Sequence, residues 1–266
     1  MKIERRIKLP LHYFLQERKH RIQNRMKPET HKIDLAAANA ELEDMDPGER
    51  ILWARKVFGE GLIMSSSFGL QSAVLLHLAN QVVPGIPVVF VDTGYLFKET
   101  YQYAEQLEKQ LDLNLKVYTS PLTAERQEAL HGKLWEKGEE GLKEYGLVRK
   151  VEPMSRAVRE LGATAWLTGV RREQARSRRD RAFIELQNKT YKIYPILNWD
   201  QTKILTHMLK NDLPAHPLSH EGYIVLGDCH STRKFEKGMD AGDVRFDGLN
   251  WECGLHEDGH GGDYSI

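Results

Sequence analysis

Cys253 lies in Glu252-Cys253-Gly254-Leu255-His256, a stretch holding glycine, acid and imidazole with little apolar company. Structural cysteines are usually buried among apolar residues, and this one is not, so the setting is open to an exposed, reactive thiol as well as to an inert one. Nearby cations favour the nucleophilic thiolate, which can serve covalent catalysis; Cys253 and His256 are therefore the catalytic candidates. Cations are plentiful: Arg149-Lys150, Arg171-Arg172, Arg176, Arg178-Arg179, Arg181, Arg233-Lys234 and Arg245. Arginine forks match phosphate and sulfate oxygens and stay charged at any working pH, although each one alone also reads as a solvated surface charge. A third candidate is Ser65-Ser66-Ser67-Phe68-Gly69-Leu70-Gln71-Ser72, between a short apolar run and a helix. Helix N-termini offer free N–H groups and a positive dipole end to an anion. Serine hydroxyls add donors there, and Gly69 permits close backbone approach. The same octet also reads as a plain polar turn.

These residues need a scaffold to bring them together. The apolar run 62–64 predicts a strand, and 70–78 predicts a buried helix. The continuous β-branched run 87–91 predicts a fully buried strand. A helix over 98–111 and a strand over 115–118 follow, with further strands over 165–168 and 191–194. Asp200 is placed to cap a helix reaching Lys210. Strands alternating with helices at this spacing imply right-handed crossovers and a parallel sheet. Such sheets bind ligands at the carboxyl ends of their strands. Ser65-Ser66-Ser67, Asp92-Thr93-Gly94 and Thr168-Gly169 all fall at such ends, and Arg171-Arg172 directly follow the last of them.

Residues 1–48, basic and then acidic, read as a helical N-terminal extension closed by the turn signal Asp46-Pro47-Gly48. Residues 49–212 form the α/β domain. In 213–266 regular patterns fade, and the glycines near the end predict a flexible C-terminal tail. The 38 Lys and Arg balance the 38 Asp and Glu, so net charge does not favour nucleic acid or membrane as a partner. Two cysteines in the chain make no disulfide framework. The charged start Met1-Lys2-Ile3-Glu4-Arg5-Arg6 lacks a signal peptide's apolar core, and no run is long enough to span a bilayer. A cytoplasmic location is the expectation. Cys229, His230, Cys253, His256 and His260 are zinc ligands by type. The adjacency of Cys229 and His230 and the lack of a Cys-x-x-Cys pair count against a structural metal.

Taken in order, the motifs resemble the phosphoadenylyl-sulfate (PAPS) reductase family. They are Ser66-Ser67-Phe68-Gly69, Val91-Asp92-Thr93-Gly94-Tyr95-Leu96-Phe97, Arg149-Lys150-Val151-Glu152-Pro153-Met154, Gly169-Val170-Arg171-Arg172-Glu173-Gln174, His216-Pro217-Leu218, Thr232-Arg233-Lys234 and Glu252-Cys253-Gly254-Leu255-His256. The resemblance implies an adenine nucleotide α-hydrolase-like fold related to PP-loop ATP pyrophosphatases, and a homodimer. It implies that Cys253 attacks the sulfur of the substrate, leaving a cysteine S-sulfonate that thioredoxin or glutaredoxin resolves to sulfite. It implies a substrate site built from Ser65, Ser66, Ser67, Gly69, Ser72, Asp92, Thr93, Gly94, Arg149, Lys150, Gly169, Arg171, Arg172, Arg233, Lys234 and Arg245. It calls for no flavin.

Two departures refine the expectation. The iron–sulfur branch of the family carries an adjacent cysteine pair before its Arg-Lys and a later Cys-x-x-Cys. Here the first region is Tyr145-Gly146-Leu147-Val148, and the later cysteines would fall at Asp228 and Ser231. Four thiolates are needed for such a cluster, so no cluster is expected, PAPS is expected over adenylyl sulfate lacking the 3′-phosphate (APS), and Cys229 is a bystander. A PP-loop ATP enzyme would read Ser-Gly-Gly-x-Asp-Ser where this chain has Ser67-Phe68-Gly69-Leu70-Gln71-Ser72. Phe68 crowds a glycine's place and Gln71 replaces the acid, so ATP pyrophosphatase chemistry is not expected. The competing readings are an APS reductase without a cluster, an ATP-dependent adenylyltransferase or thiolase, and a non-catalytic nucleotide-binding or redox-sensing module.

Overall fold

The computed structural model describes residues 33–239 and Val244. Two helices lead into the sheet. The first, α1 (Leu35–Glu43), is capped by Asp34, whose carboxylate accepts from the amides of Ala36 and Ala37. The Asp46-Pro47-Gly48 signal starts the second, α2 (Pro47–Phe58). Asp46 accepts from the Glu49 amide, the Glu49 carboxylate accepts from the Asp46 amide, and Pro47 fills the first turn, where no N–H is missed. The buried Arg50 then donates to the carbonyls of Leu42, Glu43 and Pro195 and to Asn198 Oδ1, fastening both helices to the body of the domain.

The sheet has six strands, β1 (Leu62–Ser65), β2 (Pro87–Asp92), β3 (Asn114–Thr119), β4 (Ala165–Leu167), β5 (Ile184–Gln187) and β6 (Thr190–Ile193), in the order β3-β2-β1-β4-β6-β5. Every neighbouring pair is parallel except β5 with β6. That hairpin adds an antiparallel edge to the expected parallel sheet. Its turn residues Asn188 and Lys189 take φ of 48° and 65°, a primed turn built without the glycine that usually advertises one.

The helices between strands are α3 (Ser72–Val82), α4 (Lys98–Leu111), α5 (Ala124–His131), α6 (Gly138–Gly146) and α7 (Glu152–Glu160), and α8 (Gln201–Lys210) follows β6. α3 buries Ala73, Val74, Leu75, Leu76 and Ala79, its apolar face. Ile63, Val89 and Trp166 of the central strands meet Met154 and Ala157 of α7 in one core cluster. Between α6 and α7 the helix widens into a π turn, Leu147–Val151, which carries Arg149 and Lys150. α2, which starts where the sequence reads as a turn, β5 and α5 to α7 are additions to the elements predicted from the sequence. No helix among the described residues is long and apolar enough to cross a membrane.

The order of strands decides where a ligand goes. From β1 the chain moves outward through β2 and β3, then returns to the other side of β1 with β4. The order in which strands are added therefore reverses between the parallel neighbours β1 and β4, and the crevice at the carboxyl ends there is the expected ligand position.

Candidate active site

At that crevice β1 ends in Ser65 and runs into the loop toward α3. Ser66 stays tied to the sheet through its amide and the Val89 carbonyl, 3.0 Å, and its Oγ accepts from the Phe68 amide, 3.1 Å. Phe68 takes the left-handed conformation, φ 49°, a backbone state that costs a non-glycine residue about 1 kcal/mol or more. Its side chain does not crowd the loop as the sequence suggests. It is wholly buried, edge-on to Phe90 with ring centroids 4.9 Å apart, and burial of an aromatic ring outweighs the backbone cost. The glycine-like turn is thus kept with its side chain directed into the core. Ser67 is exposed at the apex. The Ser72 hydroxyl donates back to the Gly69 carbonyl, 2.9 Å, and the first turn of α3 has no side-chain cap. An uncapped helix N-terminus flanked by serines can receive an anion.

β2 ends in Asp92, whose carboxylate accepts from the Gly94 amide, 2.8 Å, and from the Tyr101 hydroxyl, 2.7 Å. Gly94 follows with φ 78°, a conformation that favours glycine. Between them Thr93 is buried, and its hydroxyl donates to Asp228 Oδ1. At the third strand end, Thr168 is buried and Gly169 is exposed. Arg171 reaches back from there, donating to the Trp199 carbonyl, 3.2 Å, and to Gln71 Oε1, 2.5 Å. Gln71 in turn donates to Gln201 Oε1, 2.7 Å. Arg171 is 5% exposed, and it clamps the residue that precedes α3 to the start of α8.

The basic motif Arg149-Lys150 is placed quite differently. Arg149 is 2% exposed. Its Nε donates to Gln127 Oε1, 2.5 Å, its Nη1 to the carbonyls of Leu122 and Thr93, and its Nη2 to the Thr123 carbonyl. These bonds knit the loop before α5 to the end of β2. Lys150 Nζ lies 2.7 Å from Asp228 Oδ2. Asp228 is fully buried. Burial alone would raise its carboxyl, but the Lys150 ammonium and the hydrogen bonds from Lys150 and Thr93 outweigh that and hold it down to about 2. The paired carboxylate is therefore charged at any working pH. Ser231 beside it donates to the Asp228 carbonyl, 3.2 Å, so both positions where cluster cysteines would fall are built into this network. Nearby, His230 stacks on Trp135 at 3.8 Å and meets Tyr95 and Tyr145 edge-on. Burial pushes the His230 imidazole down to about 4 and the Tyr145 phenol up.

The structure brings Ser65, Ser66, Ser67, Gly69 and Ser72 to one sheet edge with Asp92, Thr93, Gly94, Gly169 and Arg171. Arg172 turns away, donating through Nε and Nη2 to the Arg181 carbonyl and lying over Phe183. Arg233 is exposed, and Lys234 is paired with Glu221 at 3.1 Å. Arg245, Cys253 and His256 lie outside the described residues. Cys229 is an exposed free thiol, pushed up by burial and by Asp228. Among the described residues no three His, Cys, Asp or Glu side chains are grouped to hold a metal ion. Asp228, Gln71 and Gln201 are site-building residues that do not stand among the sequence candidates; Asp228 and Gln71 enter that reading only as positions where relatives carry a cysteine and an acid.

Comparison with known proteins agrees with this geometry. Residues 61–234 match the family model described as the phosphoadenosine phosphosulfate reductase domain. A phosphoadenosine 5′-phosphosulfate reductase of Synechocystis is 51% identical over 227 residues, covering 85% of this chain and 91% of the relative. One from Escherichia coli is 49% identical over 225 residues, covering 85% and 92%. The phosphate complex of PAPS reductase from Candida auris superposes with a TM-score of 0.66 at 30% identity, over 75% of this chain and 96% of that one. FMN adenylyltransferase of Candida glabrata shares the fold at a TM-score of 0.55 and 14% identity, over 82% of this chain and 75% of its own.

Proposed function

The chain belongs to the phosphoadenosine phosphosulfate reductase family, and from that premise we propose that it reduces PAPS to sulfite in sulfate assimilation, with Cys253 as the nucleophile. The observation that carries this reading is the meeting of three polar strand ends beside the uncapped N-terminus of α3, at the point where the strand order reverses. Residues 49–212 hold the nucleotide and 213–266 bring the thiol to it. Ser65, Ser66, Ser67 and Gly69 cradle an anionic oxygen of the substrate, with Asp92, Gly94 and Gly169 shaping the neighbouring walls. Arg233, Lys234 and Arg245 come from the segment leading to Cys253 and screen the approach of a thiolate to an anion. The Candida auris relative is a phosphate complex, which accords with an anion-binding protein.

The chemistry balances without a flavin or cluster. The Cys253 thiolate attacks the sulfuryl sulfur, the bond from sulfur to the phosphate oxygen breaks, and adenosine 3′,5′-bisphosphate leaves. Cationic groups stabilise the charge gathering on that leaving phosphate. Cys253 now carries an S-sulfonate. A dithiol protein, thioredoxin or glutaredoxin, attacks the Cys253 sulfur and releases sulfite, and its second thiol frees Cys253 from the mixed disulfide. The dithiol supplies both electrons as sulfur passes from the sulfate to the sulfite level. The working enzyme is a cytoplasmic homodimer on this reading.

The test is intact-mass analysis of reduced protein mixed with PAPS and no thiol donor, followed by peptide mapping. A sulfonate on Cys253 that thioredoxin releases as sulfite, and that APS does not produce, supports the reading. Equal labelling by APS overturns the substrate, and no adduct in protein that binds nucleotide favours a binding module. Turnover of ATP would favour adenylyl transfer, the activity of the fold neighbour.

A further inference from the structure

The segment before the thiol is fastened to the sheet at one buried carboxylate. Asp228 is 0% exposed. Its two oxygens are engaged separately, Oδ1 by the Thr93 hydroxyl at the end of β2 and Oδ2 by Lys150 on the π turn. The backbone repeats the same connection. The Cys229 amide donates to the Tyr95 carbonyl at 2.8 Å, and Leu96 and Asp228 form an isolated antiparallel bridge. Gly227 is held in the same turn by the Thr232 hydroxyl, 3.1 Å. Immediately after it, the Arg233 amide donates to the carbonyl of Val244 at 3.0 Å, and Val244 is 1% exposed. Val244 precedes Cys253 by nine residues in the sequence, a length of at most about 32 Å when fully extended. The path to the thiol therefore departs from an anchor whose position is set by the turn around Asp228.

We propose that Asp228 is a positioning residue for the nucleophile: through Thr93 and Lys150 it latches residues 227–233 to the strand-end site and so sets where the thiol-bearing segment leaves it. The proposal rests on Cys253 being the nucleophile. It gives Lys150 a different role from a free clamp on the substrate, because its ammonium is already committed to a carboxylate. Asp228 itself touches no reacting atom. Its loss frees residues 227–233 from the strand-end site, while the α3 N-terminus and the Ser65–Ser67 loop, which it does not touch, stay as they are. Misplacement of a reacting group by about 1 Å costs on the order of 100-fold in rate.

The experiment separates binding from chemistry. Full-length Asp228→Asn and the unaltered protein are compared in calorimetric affinity for adenosine 3′,5′-bisphosphate, and in the single-turnover rate of S-sulfonate formation from PAPS. The variant is expected to bind the nucleotide within about 3-fold of the unaltered protein while its sulfonation slows by about 30- to 100-fold. A general structural role would weaken both together. Should Asp228→Asn fail to fold with Lys150 left unpaired, the double variant Asp228→Asn with Lys150→Met removes the ion pair as a whole and strands no buried charge; the same split is expected at about 10-fold or more. Unslowed sulfonation in a folded variant, or equal loss of affinity and rate, overturns the latch alone. Absence of S-sulfonate in the unaltered protein overturns the nucleophile reading and the latch with it.

Discussion

Two neighbouring regions at the carboxyl edge of the sheet treat polar residues in opposite ways. In the loop from Ser65 to Ser72, Ser67 is exposed and the first turn of α3 has no side-chain cap. Around Arg149, Lys150 and Asp228 the polar groups satisfy one another and are almost wholly buried. The first region exposes the Ser67 side chain at a strand end while the Ser66, Phe68, Ser72 and Val74 amides are paired within the loop and the sheet; the second uses charge as an internal fastening. Residue type does not separate the two, since arginine and lysine are the obvious anion ligands and here they do the fastening. What separates them is whether a protein acceptor already lies within reach.

This contrast is broken most severely at the thiol. Cys253→Ser is expected to lower turnover of PAPS by about 1,000-fold or more while nucleotide affinity is kept; steady-state assays paired with calorimetry check it. Next comes the buried fastening. Arg149→Met leaves the carbonyls of Leu122 and Thr123 without their donor, at a cost of about 3 kcal/mol, and Tm should fall by about 6–12 °C in a thermal melt.

The pH dependence of stability sharpens the same distinction. His216 is fully buried; its Nδ1 accepts from the Leu218 amide, so Nε2 carries the proton and faces Thr100 Oγ1 at 3.2 Å. Burial holds His216 and His230 down to about 4. The unfolded chain protonates first, near pH 6.5, so the stability these two contribute is complete above about 6.5 and is lost as pH falls toward 4. Tm should drop between pH 7 and pH 5, and His216→Asn, which keeps a cap acceptor but cannot be protonated, should shrink that drop. Smaller effects belong to the open region. Ser67→Ala should raise KM for PAPS by about 3- to 10-fold, the worth of one hydrogen bond, with Tm unmoved. Least of all, Lys234→Ala breaks an exposed pair with Glu221 worth at most about 1 kcal/mol, and Tm should stay within about 3 °C.

Much of the scaffold was legible because it is written locally. The continuous apolar run of β2, the buried face of α3 and the Asp200 cap of α8 each declare a conformation within a few residues. From their alternation the parallel sheet follows, and from the sheet the three strand ends. β5 escaped notice because it is a four-residue edge strand behind an arginine-rich loop, with Asn188-Lys189 in place of a glycine turn. From the sequence Phe68 reads as an obstruction, because residue type is visible there and side-chain direction is not.

The amino-acid sequence by itself determined the fold class, the polar ends of the three strands and the presence of the Glu252-Cys253-Gly254-Leu255-His256 motif. Only the tertiary structure decided which cations are already spent. Thr93 and Asp228 are 135 residues apart and Arg149 and Gln127 are 22 apart, and no local pattern encodes such pairings. Backbone conformation depends on neighbours in the chain, whereas the fate of a charge depends on which distant acceptor shares its burial, and that is settled only when the strands and helices are packed together.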